Sequence, residues 1–370
     1  MSAENQPATI LGFGEIMMRV APPGHLRFRQ AMPGSVDITF AGAEANVCVS
    51  LAMYGMQSRY LTALPKNPIA DSVVAVLRQL GVDTSPILRR DSGRLGVYFV
   101  ETGANQRSSA VVYDRDHSAI SLAAPAEYDF AAALDGATWV HVTGITPSLS
   151  ENGFASTLEL VRMAKQRNLG VSCDLNFRNK LWRWRPGFGA KQLAHECMSQ
   201  ILPHVDLLVA NEEDAADVLG IHAEGTAIEH GRIHARAYHR VAETIAEQFP
   251  NLSKVAITLR ESLSADHNNW GAMLLDVPTG RAIFAPVDEQ DEYRPYEIRH
   301  IVDRVGAGDA FGGGLLYALH SQEYAAPEQA LHFAVAASCL KHSIKGDFNY
   351  VTKEEVASLV AGMTSGRVRR

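Results

Sequence analysis

From residue 139 onward, short apolar runs alternate with longer stretches of helical period, and this alternation restricts the fold more than any other feature. Residues 139–142, 170–174, 207–210, 254–258 and 271–276 read as strands. Residues 153–167, 191–202, 212–219 and 241–248 read as helices, with more helix at 313–320 and from Ala330 onward. A strand that must pass through a helix before the next strand returns parallel to its predecessor. The expected fold class is therefore α/β, with a doubly wound, mostly parallel central sheet flanked by helices.

The N-terminal third contains two interruptions. It opens regularly, with an apolar strand ending in Gly12-Phe13-Gly14-Glu15. A helix over 41–55 follows, with Ala45, Val49, Ala52 and Met53 on one face. Then come a strand at 59–63 and a helix at 71–80 closed by Gly81. Residues 28–40 read as a strand pair over a turn at Pro33-Gly34. Residues 95–101 and 109–113 read as a hairpin. These pieces do not fit the alternation. They predict a small second sheet that lies as a lid over the C-terminal edge of the main one. The expected organisation is one domain over 1–365, with lid segments near 16–40 and 95–115, and a basic tail at 366–370. Residues 222–238 read as a polar surface excursion and 262–270 as a polar loop.

Composition excludes several classes. The chain has 370 residues, enough to bury a large core without staples, and 46% are hydrophobic. A net charge of -7 argues against a nucleic-acid binder that works by neutralising phosphates. Cys48, Cys173, Cys197 and Cys339 are scattered without a C-x-x-C pair, which predicts neither a disulfide framework nor a structural zinc site. Residues 1–8 are polar, and no run reaches the length of a membrane span, so a cytoplasmic protein is expected.

The densest chemistry lies in Asp303-Arg304-Val305-Gly306-Ala307-Gly308-Asp309-Ala310-Phe311, just before a helix. Gly306 and Gly308 allow a tight turn that exposes backbone N–H groups, and a helix N-terminus favours an anion. A carboxylate at that same point, Asp309, makes sense if it accepts a proton. The combination suggests phosphoryl transfer to a hydroxyl. The plainer alternative is a capped helix behind a glycine turn.

Three separated segments carry a resemblance to a known family. They are Gly12-Phe13-Gly14-Glu15 with Ala41-Gly42-Ala43-Glu44-Ala45-Asn46-Val47, then Ala210-Asn211-Glu212-Glu213-Asp214, then the segment around Asp309. In this order the chain resembles the ribokinase-like, or PfkB-type, carbohydrate kinases over nearly its whole length. Within them it is most similar to the 2-keto-3-deoxygluconate kinases. Pro23-Gly24-His25-Leu26-Arg27, Tyr98, Tyr113-Asp114-Arg115, Thr143-Gly144-Ile145-Thr146-Pro147, Asp174-Leu175-Asn176-Phe177-Arg178 and Lys345-Gly346-Asp347 carry that likeness.

The resemblance implies an ATP-dependent, magnesium-dependent kinase, with room for a monovalent cation near the anion-binding turn. It implies Asp309 as base, with the N–H groups of Gly306, Ala307, Gly308 and Asp309 as the anion hole. Gly42, Asn46, Tyr98, Tyr113, Arg115, Arg178, Asp309 and Asp347 would then face the sugar. Chemistry supports an acidic sugar: Arg115 and Arg178 can bind a carboxylate, while Tyr98 and Tyr113 add hydroxyls and an apolar wall. The plainer readings are a solvated loop charge for Arg115, a surface pair with Asp174 for Arg178, and a lid-core position for Tyr98. Asn211, Thr258, Arg260, Gly306 and Gly308 would hold the nucleotide, and Asn211 and Asp214 the metal, through water.

The chain departs from the family pattern twice. Asp214 stands where a glutamate is usual, and Leu259-Arg260-Glu261-Ser262 stands where glycines usually lie against the nucleotide. Other expectations are a homodimer through the lid and, as alternatives, a kinase for fructose or a silent sugar-binding protein on the same fold.

Overall fold

The computed structural model describes residues 8–222 and 235–363. Its strands are β1 (Thr9–Phe13), β2 (Met17–Ala21), β3 (Asp37–Ala41), β4 (Gln57–Leu61), β5 (Ala63–Pro65), β6 (Leu88–Arg90), β7 (Gly96–Glu101) and β8 (Ala110–Asp114). They continue with β9 (Trp139–Thr143), β10 (Gly170–Asp174), β11 (Leu207–Asn211), β12 (Lys254–Ser264), β13 (His267–Asp276), β14 (Arg281–Ala285) and β15 (Tyr296–Arg299). The large sheet runs β14-β13-β12-β11-β10-β9-β1-β4, with β15 also paired to β13. From β12 to β4 every pairing is parallel, while β13 and β14 return antiparallel. The α/β, doubly wound expectation holds.

Helices cover both faces. On one face Glu151–Gln166, Ala190–Ile201 and Ala235–Gln248 bury Leu160, Val161, Leu193, Met198 and Ile245 against the sheet. On the other lie Ala43–Met53, Ala307–His320 and Pro327–Lys341. Three glycines in the middle of Ala307–His320 each cost about 1 kcal/mol of helix propensity. Close packing explains them in part: a Cβ on Gly313 would lie 2.6 Å from that of Ser50, and one on Gly314 3.1 Å from Ala334 and Ala337.

The chain moves outward from β1 to β4, then returns to place β9 on the other side of β1. That reversal opens a crevice at the C-terminal ends of the strands, where open parallel sheets bind ligands. A second sheet, β3-β2-β7-β8, hangs over this edge as the predicted lid. The 95–113 hairpin is present as β7 and β8.

Two expectations are corrected. Residues 28–40 are not a strand pair: Phe28–Ala31 is a short helix, and only Asp37–Ala41 is a strand. Glu101 accounts for this, accepting the Phe28 N–H at 2.8 Å and pairing with Arg27, while Phe28 packs edge-on against Phe99. Residues 262–270 are not a loop but the tip of a long β12–β13 hairpin turning at Ala265 and Asp266. Their polar side chains serve the ladder, Asn269 donating to Glu261 at 2.6 Å, and β15 adds a further pairing. Most of the 222–238 excursion lies outside the described residues, but its end belongs to the helix Ala235–Gln248. The 366–370 tail also lies outside them. Among the described residues no helix is long and apolar enough to cross a membrane.

Candidate active site

Polar side chains cap the parallel strands at the crevice. Thr143 and Asp174 are register neighbours at the ends of β9 and β10, and Asn211 at the end of β11 is the register neighbour of Thr258 within β12. Facing them, the lid presents Thr39, Arg19, Tyr98 and Tyr113 in register across its four strands. Between the two walls lies a cavity of about 570 Å³, of the size that takes a small-molecule ligand. Every candidate site residue named from the sequence lines it, from Gly42 and Asn46 to Asp309 and Asp347.

Asp309 stands in the first turn of the helix Ala307–His320. Asn46, in the first turn of Ala43–Met53, donates its amide to Asp309 Oδ2 at 2.6 Å and accepts from the Gly42 N–H at 3.3 Å. One carboxylate oxygen is thus fixed while the group faces the cavity. Burial pushes the Asp309 carboxyl up to about 6, against the lowering effect of Asn46. It remains ionised at neutral pH and is more basic than an ordinary aspartate.

The two glycines before Asp309 have different reasons. Gly306 precedes the helix with φ +84°, and a Cβ there would strike the Asp347 carbonyl. Its constraint is internal to the protein. At Gly308 a Cβ would meet no protein atom within 4 Å. The space over Gly308 belongs to the cavity, and the Gly308 and Asp309 N–H groups lie in the first turn, where no intrahelical acceptor exists. The Ala307 N–H makes a long bond of 3.4 Å to the Arg304 carbonyl. Such an arrangement can cradle an anion. Gly42 resembles Gly306, since a Cβ there would strike the Glu15 carbonyl.

The predicted arginines and tyrosines differ in how they are held. Arg115 is buried and ion-paired with Glu15, its guanidinium 5.4 Å from the centre of the Tyr113 ring. It is not a solvated loop charge. Arg178 is exposed at the cavity, donates to the Phe177 carbonyl at 3.1 Å, and forms no ion pair among the described residues. The surface pair with Asp174 is absent. Arg260 is likewise exposed at the cavity, without an ion pair among the described residues. Tyr98 donates to the Asp347 carboxylate at 2.7 Å, and Arg19 holds the same carboxylate at 2.6 Å.

Asn211 caps the helix Glu212–Leu219, accepting the Asp214 N–H at 2.7 Å. Asp214 accepts the Phe177 N–H at 3.0 Å, and burial pushes it up to about 6. Burial, together with Asp214 and Asp309, holds Asp174 well above the usual carboxylate range. No three or more His, Cys, Asp or Glu among the described residues are grouped to hold a metal ion. One carboxylate and one amide at the mouth of a phosphate cradle fit a magnesium ion held mainly by water and phosphate oxygens.

Several buried polar groups around the site escaped the sequence reading. Arg19, Asp303 and Glu15 make buried ion pairs around the site. Glu44 is buried between Thr143 and Thr146 hydroxyls, at 2.7 and 3.3 Å, and burial pushes it up to about 7. Asn268 Oδ1 and Trp270 Nε1 are buried at the cavity's hairpin end with no protein partner. A signal existed for Arg19, a charge inside the apolar run Met17-Met18-Arg19-Val20-Ala21.

Comparison with known proteins gives the family. Residues 8–247 match the family described as pfkB family carbohydrate kinase. The chain is 31% identical to a 2-dehydro-3-deoxygalactonokinase of Haloferax volcanii, over 97% of this chain and 98% of that protein. It is 28% identical to a 2-dehydro-3-deoxygluconokinase of Thermoproteus tenax, over 92% and 90%. The crystal structure of a 2-dehydro-3-deoxygluconokinase from Thermotoga maritima superimposes with a TM-score of 0.85 at 42% identity, covering 96% of this chain and all of that one.

Proposed function

This chain belongs to the PfkB family of carbohydrate kinases, and we propose that it transfers the γ-phosphoryl group of ATP to the terminal hydroxyl of 2-keto-3-deoxygluconate, giving the 6-phosphate. One observation carries the reading. The Asn46-held Asp309, the open anion cradle at Gly308 and an unpaired arginine, Arg178, line one cavity. A proton acceptor, a phosphate site and a receptor for a substrate carboxylate are what phosphorylation of a sugar acid requires.

In this reaction Asp309 accepts the proton as the hydroxyl oxygen bonds to the γ-phosphorus, and the bond from that phosphorus to the β–γ bridging oxygen breaks to release ADP. The N–H groups at the start of Ala307–His320 receive the charge on the transferred group. Arg178 orients the sugar carboxylate, and Arg260 lies at the nucleotide end. Asn211 and Asp214 would hold magnesium through water, and the ion would supply charge neutralisation on the phosphates. The lid keeps water from the site. Its outer face carries an apolar row, Ile38-Val20-Phe99-Val112, whose ends are exposed, which supports pairing with a second copy through the lid.

The test is coupled ADP release with a panel of 2-keto-3-deoxygluconate, its galacto epimer, fructose and ribose, the product assigned by phosphorus NMR. The expected result is preference for a keto-deoxy acid. The similarity to the Haloferax volcanii enzyme makes the galacto epimer the second reading. Turnover of fructose without the acids would overturn the substrate assignment. Sugar binding without turnover of any sugar would support a silent protein.

A further inference from the structure

Arg19 is a full charge in the lid sheet and is 3% exposed. Its guanidinium bridges two buried carboxylates far away in sequence. One nitrogen donates to Asp303 Oδ2 at 2.5 Å, the other to Asp347 Oδ1 at 2.6 Å. Both acceptors lie against the segment that forms the anion cradle. Asp303 Oδ1 accepts the Val305 N–H at 3.1 Å, and Asp303 Oδ2 also accepts the Gly346 N–H at 3.1 Å. The Asp347 carbonyl packs against Gly306 on the face where a Cβ would sit. Tyr98, Arg19's register neighbour, donates its hydroxyl to both Asp347 oxygens at 2.7 Å. A second buried cation, Lys341, lies in the same field and donates to the Ile344 carbonyl at 3.1 Å.

Resting on the kinase reading above, we propose that Arg19 is a positioning residue for phosphoryl transfer. Its fixed guanidinium ties the lid to the 303–309 turn and holds the turn's N–H groups in the geometry that receives the transferred phosphate. The bridge has no slack. A planar fork reaches two carboxylates at once, which a lysine ammonium cannot reproduce with the same directions. Without it two buried carboxylates face each other behind the cradle, and the turn they anchor moves. A shift of about 1 Å at such a site can cost about 100-fold in rate.

The experiment compares the full chain with Arg19→Ala and Arg19→Lys, using whichever sugar the parent phosphorylates. Arg19→Ala is expected to lose about 100-fold in kcat and about tenfold in ATP affinity, with the sugar KM changed by less than about threefold. Millimolar guanidinium should restore at least about tenfold of that kcat, and sodium chloride at matched ionic strength should not. Arg19→Lys should keep the fold and remain impaired in kcat. Parental kcat in either variant, or equal restoration by sodium, would overturn the proposal, and if Arg19→Ala does not fold, Arg19→Lys alone decides. A parent inert toward every sugar would defeat the kinase reading instead. Binding of ATP to the variants, measured by calorimetry, would still test the Arg19 contact.

Discussion

The two walls of the cavity hold their charges differently. On the lid wall each buried arginine is closed onto carboxylates, Arg19 onto Asp303 and Asp347, and Arg115 onto Glu15. On the sheet wall Arg178 and Arg260 stand exposed without an ion pair among the described residues, and the space where a Gly308 Cβ would sit is open. A buried pair of opposite charges gives shape and orientation but little net field for a ligand. An unpaired cation retains its capacity for an incoming anion. The lid wall therefore sets geometry, and the sheet wall receives charge.

The largest expected effect lies on the sheet wall. Asp309→Asn keeps an oxygen to accept from Asn46 and loses the base, so kcat should fall by at least about two orders of magnitude. Thermal unfolding should change little. ADP release checks the first expectation and calorimetry the second, and near-normal kcat would end the assignment of Asp309 as base. The glycines come next. Gly308→Ala should fold normally and lose about 100-fold in kcat, because its methyl group would occupy ligand space. Gly306→Ala should instead lose stability, since it adds a methyl group against the Asp347 carbonyl at a left-handed φ. Equal behaviour of the two variants would erase the distinction between an internal constraint and a ligand cradle.

The arginines give the direct comparison. Arg178→Ala should raise KM for a keto-deoxy acid by about tenfold or more, the scale of one charge-assisted hydrogen bond, and leave unfolding unchanged. Arg115→Ala strands Glu15 in the interior and should cost about 3–5 kcal/mol of stability. Adding Glu15→Gln should recover part of that loss, and a double-mutant cycle of unfolding free energies reads the coupling. Should Arg115→Ala change only the KM for the acid, the lid wall also receives charge and the contrast fails.

This difference between the walls also explains what the sequence made legible. The 303–311 turn is contiguous, so its glycines and Asp309 could be read together. Asp174, Asn211 and Thr258 each follow an apolar strand, and the parallel alternation alone places such residues at one sheet edge. The lid wall offered no such economy. Arg19 meets Asp303 and Asp347 across 284 and 328 residues, and Arg115 meets Glu15 across 100. Without partners in view, the sequence could not show that Arg115 and Tyr98, which line the cavity, also bond to Glu15 and Asp347. The β12–β13 tip was misread for a related reason. Its polar residues suggested a loop, although a strand whose side chains pair across a ladder needs no apolar face there.

The smallest expected effect is a shift in a pH profile, and it separates the walls without removing either. Burial raises the Asp309 carboxyl to about 6, and the base works only when ionised. The acid limb of kcat/KM should therefore rise with pH through about 6, falling toward tenfold per unit below it. Arg178 lowers the Asp309 value through its charge, opposing Asp347, which raises it. Removing that positive charge disfavours the carboxylate, so Arg178→Gln should move the limb to higher pH, and Arg178→Lys should largely restore it. Arg115 is neutralised by Glu15, so the paired change Arg115→Gln with Glu15→Gln should leave the limb in place. If the lid-wall change moved the limb as far as the Arg178 change, the lid charges would act on the base directly, and the assignment of field to one wall and geometry to the other would have to be abandoned.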